Sequence, residues 1–195
     1  VDGVGPTLNT GDFLTGTAGR TDNELTVTDL TPGVTNGVIP AGVTLTNIQK
    51  VSLNTSNNTT AGTGFSTVGF ADVRTLNGTT NGAGADTFSA KNGADGTVVT
   101  VSHKGLGGGT TTVIGGTDVT ATSVGGSVIV GNSAAGVVPL ADQVATGAVV
   151  VNQQFTGAGA VNVFGGTTVN VITSSTSNSG TIDVGNTGTN TGNST

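Results

Sequence analysis

Residues 112–121, TVIGGTDVTA, recur fifty positions later as residues 162–171, NVFGGTTVNV. In each copy a Gly-Gly pair separates two short segments in which apolar residues nearly alternate with polar ones. A period of two is typical of a half-buried β-strand, and Gly suits the sharp turn between two strands. The repeat therefore predicts short strands joined by tight turns.

The same repeat covers most of the second half of the chain. Residues 97–101 correspond to 148–152, and residues 128–132 correspond to 182–186. The offset is close to fifty and rises to 54 at the end, where residues 174–180 form a longer turn. Because the strands recur at a nearly fixed period, stacked coils are favoured over a sandwich of two sheets.

A shorter shift appears in the first half, where Ile48 corresponds to Val73 and Val51 corresponds to Leu76. This shift is half of the later period, so we expect one coil to take about 25 residues and the later repeat to span two coils. The predicted fold class is all-β, a β-solenoid (β-helix) of short strands with Gly- and Asn-rich turns. Its interior would hold columns of Val, Ile, Leu and Ala, with Thr and Asn ladders outside.

The chain divides into three predicted parts. Residues 1–95 form an N-terminal solenoid part with acidic turns, and residues 96–186 form the two-fold repeated solenoid part. Residues 187–195 contain no apolar side chain and are predicted to be a polar tail or linker.

Composition excludes several functional classes. The chain has 35 Gly residues, 8% charged residues and no Cys, which argues against long helices, disulfides and thiolate metal sites. Its net charge of -6 gives no basic surface for nucleic acid. No apolar window approaches the ~18 residues of a membrane span, so we expect no membrane insertion.

Two consecutive acidic turns are the strongest candidates for a metal site. Residues 81–89, NGAGADTFS, fit the nonapeptide GGxGxDxUx, and residues 90–98 keep Gly93 and Asp95 in the same register. Gly-rich turns expose carbonyl oxygens, and the carboxylates of Asp86 and Asp95 would complete an oxygen cage for calcium. The alternative is that both side chains only close tight turns by accepting hydrogen bonds from backbone amides.

A second acidic cluster lies near the N-terminus. Asp12, Asp22 and Glu24 lie in a segment that resembles two nonapeptide units with one inserted residue. Asp12 and Asp22 are therefore further candidate calcium ligands. The insertion breaks the spacing, however, and favours the alternative that Arg20 forms a surface ion pair with one of the acids.

Side chains suited to catalysis are scarce. His103 is the only candidate base, and its position at a strand end predicts a surface histidine. Glu24 is the only glutamate, and the chain has no Trp or Tyr to hold a sugar. We therefore predict no enzymatic activity, and a polysaccharide-acting enzyme is the least favoured class.

Several of these segments resemble a known family. Residues 12–19 (DFLTGTAG), 42–48 (GVTLTNI) and 115–120 (GGTDVT), together with the nonapeptide turns, are similar to RTX-type bacterial surface-layer proteins and type I-secreted repeat adhesins. The resemblance implies an extracellular protein of the bacterial cell surface that folds on external calcium. It also implies self-association into a sheet or filament.

The predicted function is a structural subunit of an extracellular bacterial cell-surface assembly, a surface-layer lattice or fibre. The subunit would associate with copies of itself, be stabilised by calcium and have a cell-surface glycan as a possible anchoring partner. The alternative function is a repeat segment of a large calcium-dependent adhesin, which spaces a ligand-binding tip from the cell.

Overall fold

The computed structural model describes residues 8, 10–29, 39–59, 64–131, 142–155, 159–175 and 180–185. The tail predicted at residues 187–195 lies outside this part of the chain. The described residues contain fifteen β-strands and no helix, so the all-β class is confirmed. Within the same residues, no helix is long and apolar enough to cross a membrane.

Most of the strands are short, as the alternating pattern predicts. Their bounds are β1 Phe13–Thr15, β2 Glu24–Asp29, β3 Thr44–Thr46, β4 Lys50–Thr55, β5 Phe65–Ser66, β6 Thr75–Thr80, β7 Asp86–Ala90, β8 Val98–His103, β9 Thr111–Gly115, β10 Val119–Val124, β11 Val128–Val130, β12 Ala148–Phe155, β13 Ala160–Val163, β14 Thr168–Ser175 and β15 Thr181–Val184.

Two parallel sheets dominate the structure. The even-numbered strands form a seven-stranded sheet in the order β14-β12-β10-β8-β6-β4-β2. The odd-numbered strands from β5 to β15 form a six-stranded sheet, and β1 pairs with β3 in a separate two-stranded sheet. From β4 onward the chain alternates between the two large sheets and returns to each one after every second strand. Pairing continues across the predicted boundary at 95/96, with β6 on β8 and β7 on β9.

Strand register confirms the repeats read from the sequence. Val51 pairs with Leu76, which is the correspondence predicted for the first half. In the second half, Val119 pairs with Val149 and Val149 pairs with Val169, so the fifty-residue repeat spans two returns to the same sheet. The drift to 54 is also confirmed, because Val128 is aligned with Ile182 through Val161.

One of the predicted correspondences is wrong by one residue. Residues 97–101 do not align with 148–152, because Val99 pairs with Val119 and Val119 pairs with Val149. The true offset is therefore fifty here as well. A slip of one residue would turn Val99 from the interior to the surface, and the buried column does not permit this.

A return is the stretch of chain from a residue on one strand to its partner on the next strand of the same sheet. The length of these returns varies more than a single fixed period suggests. In the seven-stranded sheet the shortest returns are twenty positions long, as from Val99 to its partner Val119, whereas the next return, from Val119 to Val149, takes thirty. The strands keep their register while the connecting turns absorb the difference. Two returns in the second half add to fifty because a short one and a long one alternate.

The core consists of apolar columns that run across the strands. Inward-facing positions in the seven-stranded sheet align through Leu25, Val51, Leu76, Val99, Val119, Val149 and Val169. A facing column in the six-stranded sheet aligns through Phe65, Phe88, Val113, Val130, Val163 and Val184. The members of both columns that lie inside the stack are almost completely buried. This is where the fold removes most apolar surface from water.

Gly78 interrupts an otherwise apolar column for a steric reason. It lies between Leu53 and Val101 in register, on the inward face of β6. A Cβ atom at this position would overlap the aromatic ring of Phe88, which fills the space from the opposite sheet. The missing side chain and the large ring therefore form one packing unit.

We expect Gly78→Ala to lower the free energy of unfolding by about 1–3 kcal/mol, because the new methyl group overpacks the core against Phe88. Combining it with Phe88→Leu should cost less than the sum of the two single changes, since the smaller side chain makes room. Chemical denaturation of the four proteins measures this coupling. Gly69→Ala is the control, because nothing lies within 4 Å of its Cβ position. Strict additivity would contradict the packing argument.

Candidate functional site

The two predicted calcium turns place their carboxylates in different surroundings. Asp86 is the first residue of β7 and is completely buried, whereas Asp95 is exposed in the turn closed by the bond from the Gly96 N–H to the Gly93 carbonyl. Asp86 shares the inward parity of Phe88, so the strand that buries the ring also buries the carboxylate. The structure therefore does not bring Asp86 and Asp95 together.

Both oxygens of Asp86 are engaged by hydrogen-bond donors. Oδ2 accepts from the Thr80 hydroxyl at 2.5 Å and lies 2.5 Å from Nδ1 of His103. Oδ1 accepts from the Thr59 backbone N–H at 2.8 Å and lies 3.5 Å from Nδ2 of Asn58. Because an ionised carboxylate only accepts, we assign the hydrogen of this contact to Nδ1 of His103.

His103 is a buried residue, which corrects the prediction of a surface histidine. Its side chain is 0% exposed, as is that of Asp86. Val99, Val101 and His103 alternate on the inward face of β8, so the strand carries the imidazole into the interior beside Thr80. Among the described residues, Nε2 of His103 has no hydrogen-bond partner. The alternation of β8 was the available signal, whereas the apparent strand end misled the prediction.

His103 belongs to a polar column along one corner of the interior. Thr55, Thr80, His103, Ser123 and Gln153 are aligned on consecutive strands, and all are buried. In this column Thr80 and His103 bond to Asp86, whereas Thr55 and Gln153 bond to the backbone of nearby turns. Among the described residues, the Ser123 hydroxyl has no hydrogen-bond partner. Sequence reasoning missed the column, because its members lie on five strands that are separated by connections of different length.

The Gly-rich turns pack against one another. A Cβ atom at Gly105 would overlap the Gly82 carbonyl, and one at Gly109 would overlap the Gly84 carbonyl. The carbonyl of Gly84 accepts from Nδ2 of Asn58 at 2.7 Å, and its N–H donates to Oδ1 of the same side chain at 2.8 Å. These glycines thus permit close stacking of turns, and one of the carbonyls expected to face calcium is already bonded.

The N-terminal acidic cluster contains the ion pair that the sequence favours. Arg20 donates to both carboxylate oxygens of Asp22 at 2.8 and 2.6 Å, and the two side chains are largely exposed. This hydrogen bonding lowers the pKa of Asp22 below its usual value.

Asp12 precedes β1 and is half-buried. Within the described part of the chain, no three His, Cys, Asp or Glu residues cluster as a metal site. Calcium at Asp12, Asp22 or Asp95 stays a prediction.

Five charged side chains of the N-terminal half line one open surface cavity of about 680 Å³. Its lining residues are Thr21, Asp22, Glu24, Gln49, Lys50, Asp72, Arg74 and Thr75. Glu24 accepts from the Ser52 hydroxyl at 2.6 Å and from Lys50 at 3.1 Å. The Ser52 hydrogen bond, followed by the Lys50 contact, lowers the pKa of Glu24 below its usual value. Acids and bases neutralise each other here, which leaves no strong single-sign field.

The outward face of the seven-stranded sheet is a nearly uncharged ladder, as predicted. Two columns of Thr, Ser and Asn dominate it, broken only by Val150 and Ile172. The first contains Thr26, Ser52, Asn77, Thr100, Thr120, Val150 and Asn170, and the second contains Thr28, Asn54, Thr79, Ser102, Thr122, Asn152 and Ile172. Small polar side chains bond along such a ladder without charge, as Asn77 does to Ser52.

Both ends of the stack leave apolar columns partly uncovered. The edge strands of the seven-stranded sheet are β2 and β14. Leu25 and Val27 on β2, like Val169 and Val171 on β14, are only half-buried, whereas Val99 in the middle of the same sheet is fully buried. In the described residues, each edge strand also has one side without a strand partner.

Comparisons with known proteins find no matching family model, no similar curated protein and no similar solved structure. The resemblance to RTX-type surface-layer proteins and adhesins therefore rests on the residues quoted above and stays a prediction.

Glu24 should titrate below the usual range of a glutamate, and Ser52→Ala should raise its pKa toward that range, because the strongest hydrogen bond is lost. A pKa lowered by folding stabilises the native state above the unfolded-state pKa, and this stabilisation disappears as the pH falls through the folded-state pKa.

Carboxyl NMR can follow this titration without ambiguity, because Glu24 is the only glutamate. Ser102→Ala, on the same outward face but far along the ladder, is the matched control. A Glu24 midpoint that is identical in wild type and Ser52→Ala would show that the hydrogen bond does not set the pKa.

Proposed function

We propose that the chain is a β-solenoid in which each coil contributes one strand to each of two sheets. Support comes from the strict alternation of strands between the sheets and from the parallel pairing of every neighbouring pair. The constant register despite unequal return lengths fits coils whose turns vary while their strands stack.

The proposed function is a structural subunit of an extracellular bacterial cell-surface assembly. The observation that carries it is the pair of half-buried apolar ends. Leu25 and Val27 at one end occupy the same two columns as Val169 and Val171 at the other. A second copy placed head to tail would continue both columns and cover them.

Such a contact uses different surfaces on the two copies and does not close on itself, so repetition gives a filament. Parallel edge strands β2 and β14 would also exchange backbone hydrogen bonds across the junction. Neither edge presents a row of like charges. β14 contains no charged residue, and the two acids of β2, Glu24 and Asp29, are its first and last residues, with Glu24 paired with Lys50. The uncharged Thr, Ser and Asn face adds a second, lateral surface for lattice contacts.

The burial of the only candidate base also supports a structural role. His103, the only candidate base, is sealed against Asp86 and Thr80 in the interior, where no substrate can reach it. The extracellular location, the anchoring glycan and calcium at the exposed turn of Asp95 belong to the proposal through the family resemblance.

The adhesin alternative uses the same observation. In a longer solenoid, further coils of one polypeptide would cover the half-buried ends in place of a second copy. The two functions differ in what the isolated chain does, because only the first requires it to associate with itself.

Purified chain should form filaments at high concentration, visible in negative-stain images and as fast species in sedimentation velocity, with calcium and with EGTA. Val171→Asp places a charge in the end column and should shift the distribution to monomers. Ile172→Asp is the matched control, because this neighbouring side chain points outward and is 55% exposed. It should assemble like the wild type.

Thermal unfolding of both variants checks that the last strands remain folded. A wild-type chain that stays monomeric at its solubility limit in both conditions would contradict the assembly proposal and favour the adhesin segment.

A further inference from the structure

The turn at residues 81–89 fits a calcium motif in sequence, so the test is whether its side chains fit the ion. Calcium takes six to eight oxygen ligands, chiefly carboxylates and carbonyls with free lone pairs. At this turn the relevant oxygens belong to Asp86 and Gly84. In the described residues, the Gly84 carbonyl accepts from Asn58, Oδ1 of Asp86 accepts from Thr59, and Oδ2 faces the Thr80 hydroxyl and Nδ1 of His103.

Two nitrogen groups, Nδ2 of Asn58 and Nδ1 of His103, lie next to the oxygens that the motif predicts to bind calcium. Nδ2 of Asn58 donates to the Gly84 carbonyl at 2.7 Å and lies 3.5 Å from Oδ1 of Asp86, so it reaches a turn carbonyl and the carboxylate at once. Nδ1 of His103 faces the other carboxylate oxygen at 2.5 Å. N–H groups of this kind attract the lone pairs that calcium would need, and they repel the ion itself.

We infer that Asn58 and His103 replace the cation at the Asp86 turn, so that this part of the fold forms without calcium. The inference goes beyond the proposed function, because assembly could occur with or without an ion at this position. It also divides the nonapeptide turns into two kinds, since Asp95 is exposed and keeps its carboxylate at the surface.

Burial explains why a replacement is needed. A carboxylate that is 0% exposed is strongly destabilising unless it is paired and hydrogen-bonded. Calcium could supply the positive charge only by displacing the donors that already bond both carboxylate oxygens. The donors from Thr59, Thr80 and His103 instead come from three separate segments of the chain, and so they also tie neighbouring coils together.

NMR of the imidazole tests the inference directly, because His103 is the only histidine in the chain. The expected result is one protected Nδ1–H signal with the same chemical shift in EGTA and in excess calcium chloride. Recording both spectra in the Asp95→Ala background removes effects of any ion bound at that turn. A calcium-dependent shift or loss of the signal in this background would overturn the inference.

Thermal unfolding supplies a second, independent readout. Asp86→Asn keeps the side-chain volume but places an NH₂ group opposite groups that also donate hydrogen bonds. His103→Ala removes the nitrogen that faces Oδ2 of Asp86. Each should lower the Tm by about 10 °C, equally in EGTA and in calcium, because a buried pair loses one partner. Asp95→Ala is the control and should leave the Tm in EGTA nearly unchanged.

A wild-type Tm that rises in calcium, with the rise abolished by Asp86→Asn and retained in Asp95→Ala, would contradict the inference. If the Asp86 and His103 variants do not fold at all, the NMR comparison in the Asp95→Ala background still decides it, because that protein keeps both Asp86 and His103. The failure of the proposed function would leave both readouts intact, because a chain that stays monomeric still reports the His103 signal and the Tm.

Discussion

In-register stacking of parallel strands is the constraint on which the rest of the structure depends. Every inward side chain must fit between the side chains at the same position on the strands above and below it. Val99 meets this condition with Leu76 and Val119, and Gly78 meets it by leaving room for Phe88. The same constraint carries polar side chains inward whenever they share the parity of the core, and these must then find partners inside the protein.

The strands and their order along the stack could be predicted, because apolar alternation and internal repetition are both local or periodic signals. The parity of Asp86 with Phe88, and of His103 with Val101, was also available in the sequence. The turn motif instead led to a calcium-ligand prediction for Asp86, and the strand end led to a surface prediction for His103. The contact between Asp86 and His103 could not be predicted from the sequence, because it depends on return lengths that differ along the chain.

The low content of charged residues affects how the outward faces of two molecules would interact. An outward face of Thr, Ser and Asn can form hydrogen bonds along the ladder, as Asn77 does with Ser52, and these side chains carry no charge, so similar faces can approach without strong repulsion. Two ion pairs, Arg20 with Asp22 and Lys50 with Glu24, neutralise part of the charge near the N-terminus. The apolar side chains that stay partly exposed lie at the ends, in the half-buried columns of β2 and β14, and the proposed head-to-tail contact would cover them.

Distances between spin labels measure the stacking most directly, since the chain has no cysteine and labels can be introduced in pairs. Thr26, Thr100 and Asn170 lie in one outward column, three and six strands apart. With strands ~4.8 Å apart, dilute labelled chain should give backbone separations of about 14 Å for Thr26 with Thr100 and about 29 Å for Thr26 with Asn170. Separations that do not grow in proportion to the number of strands would contradict the stack.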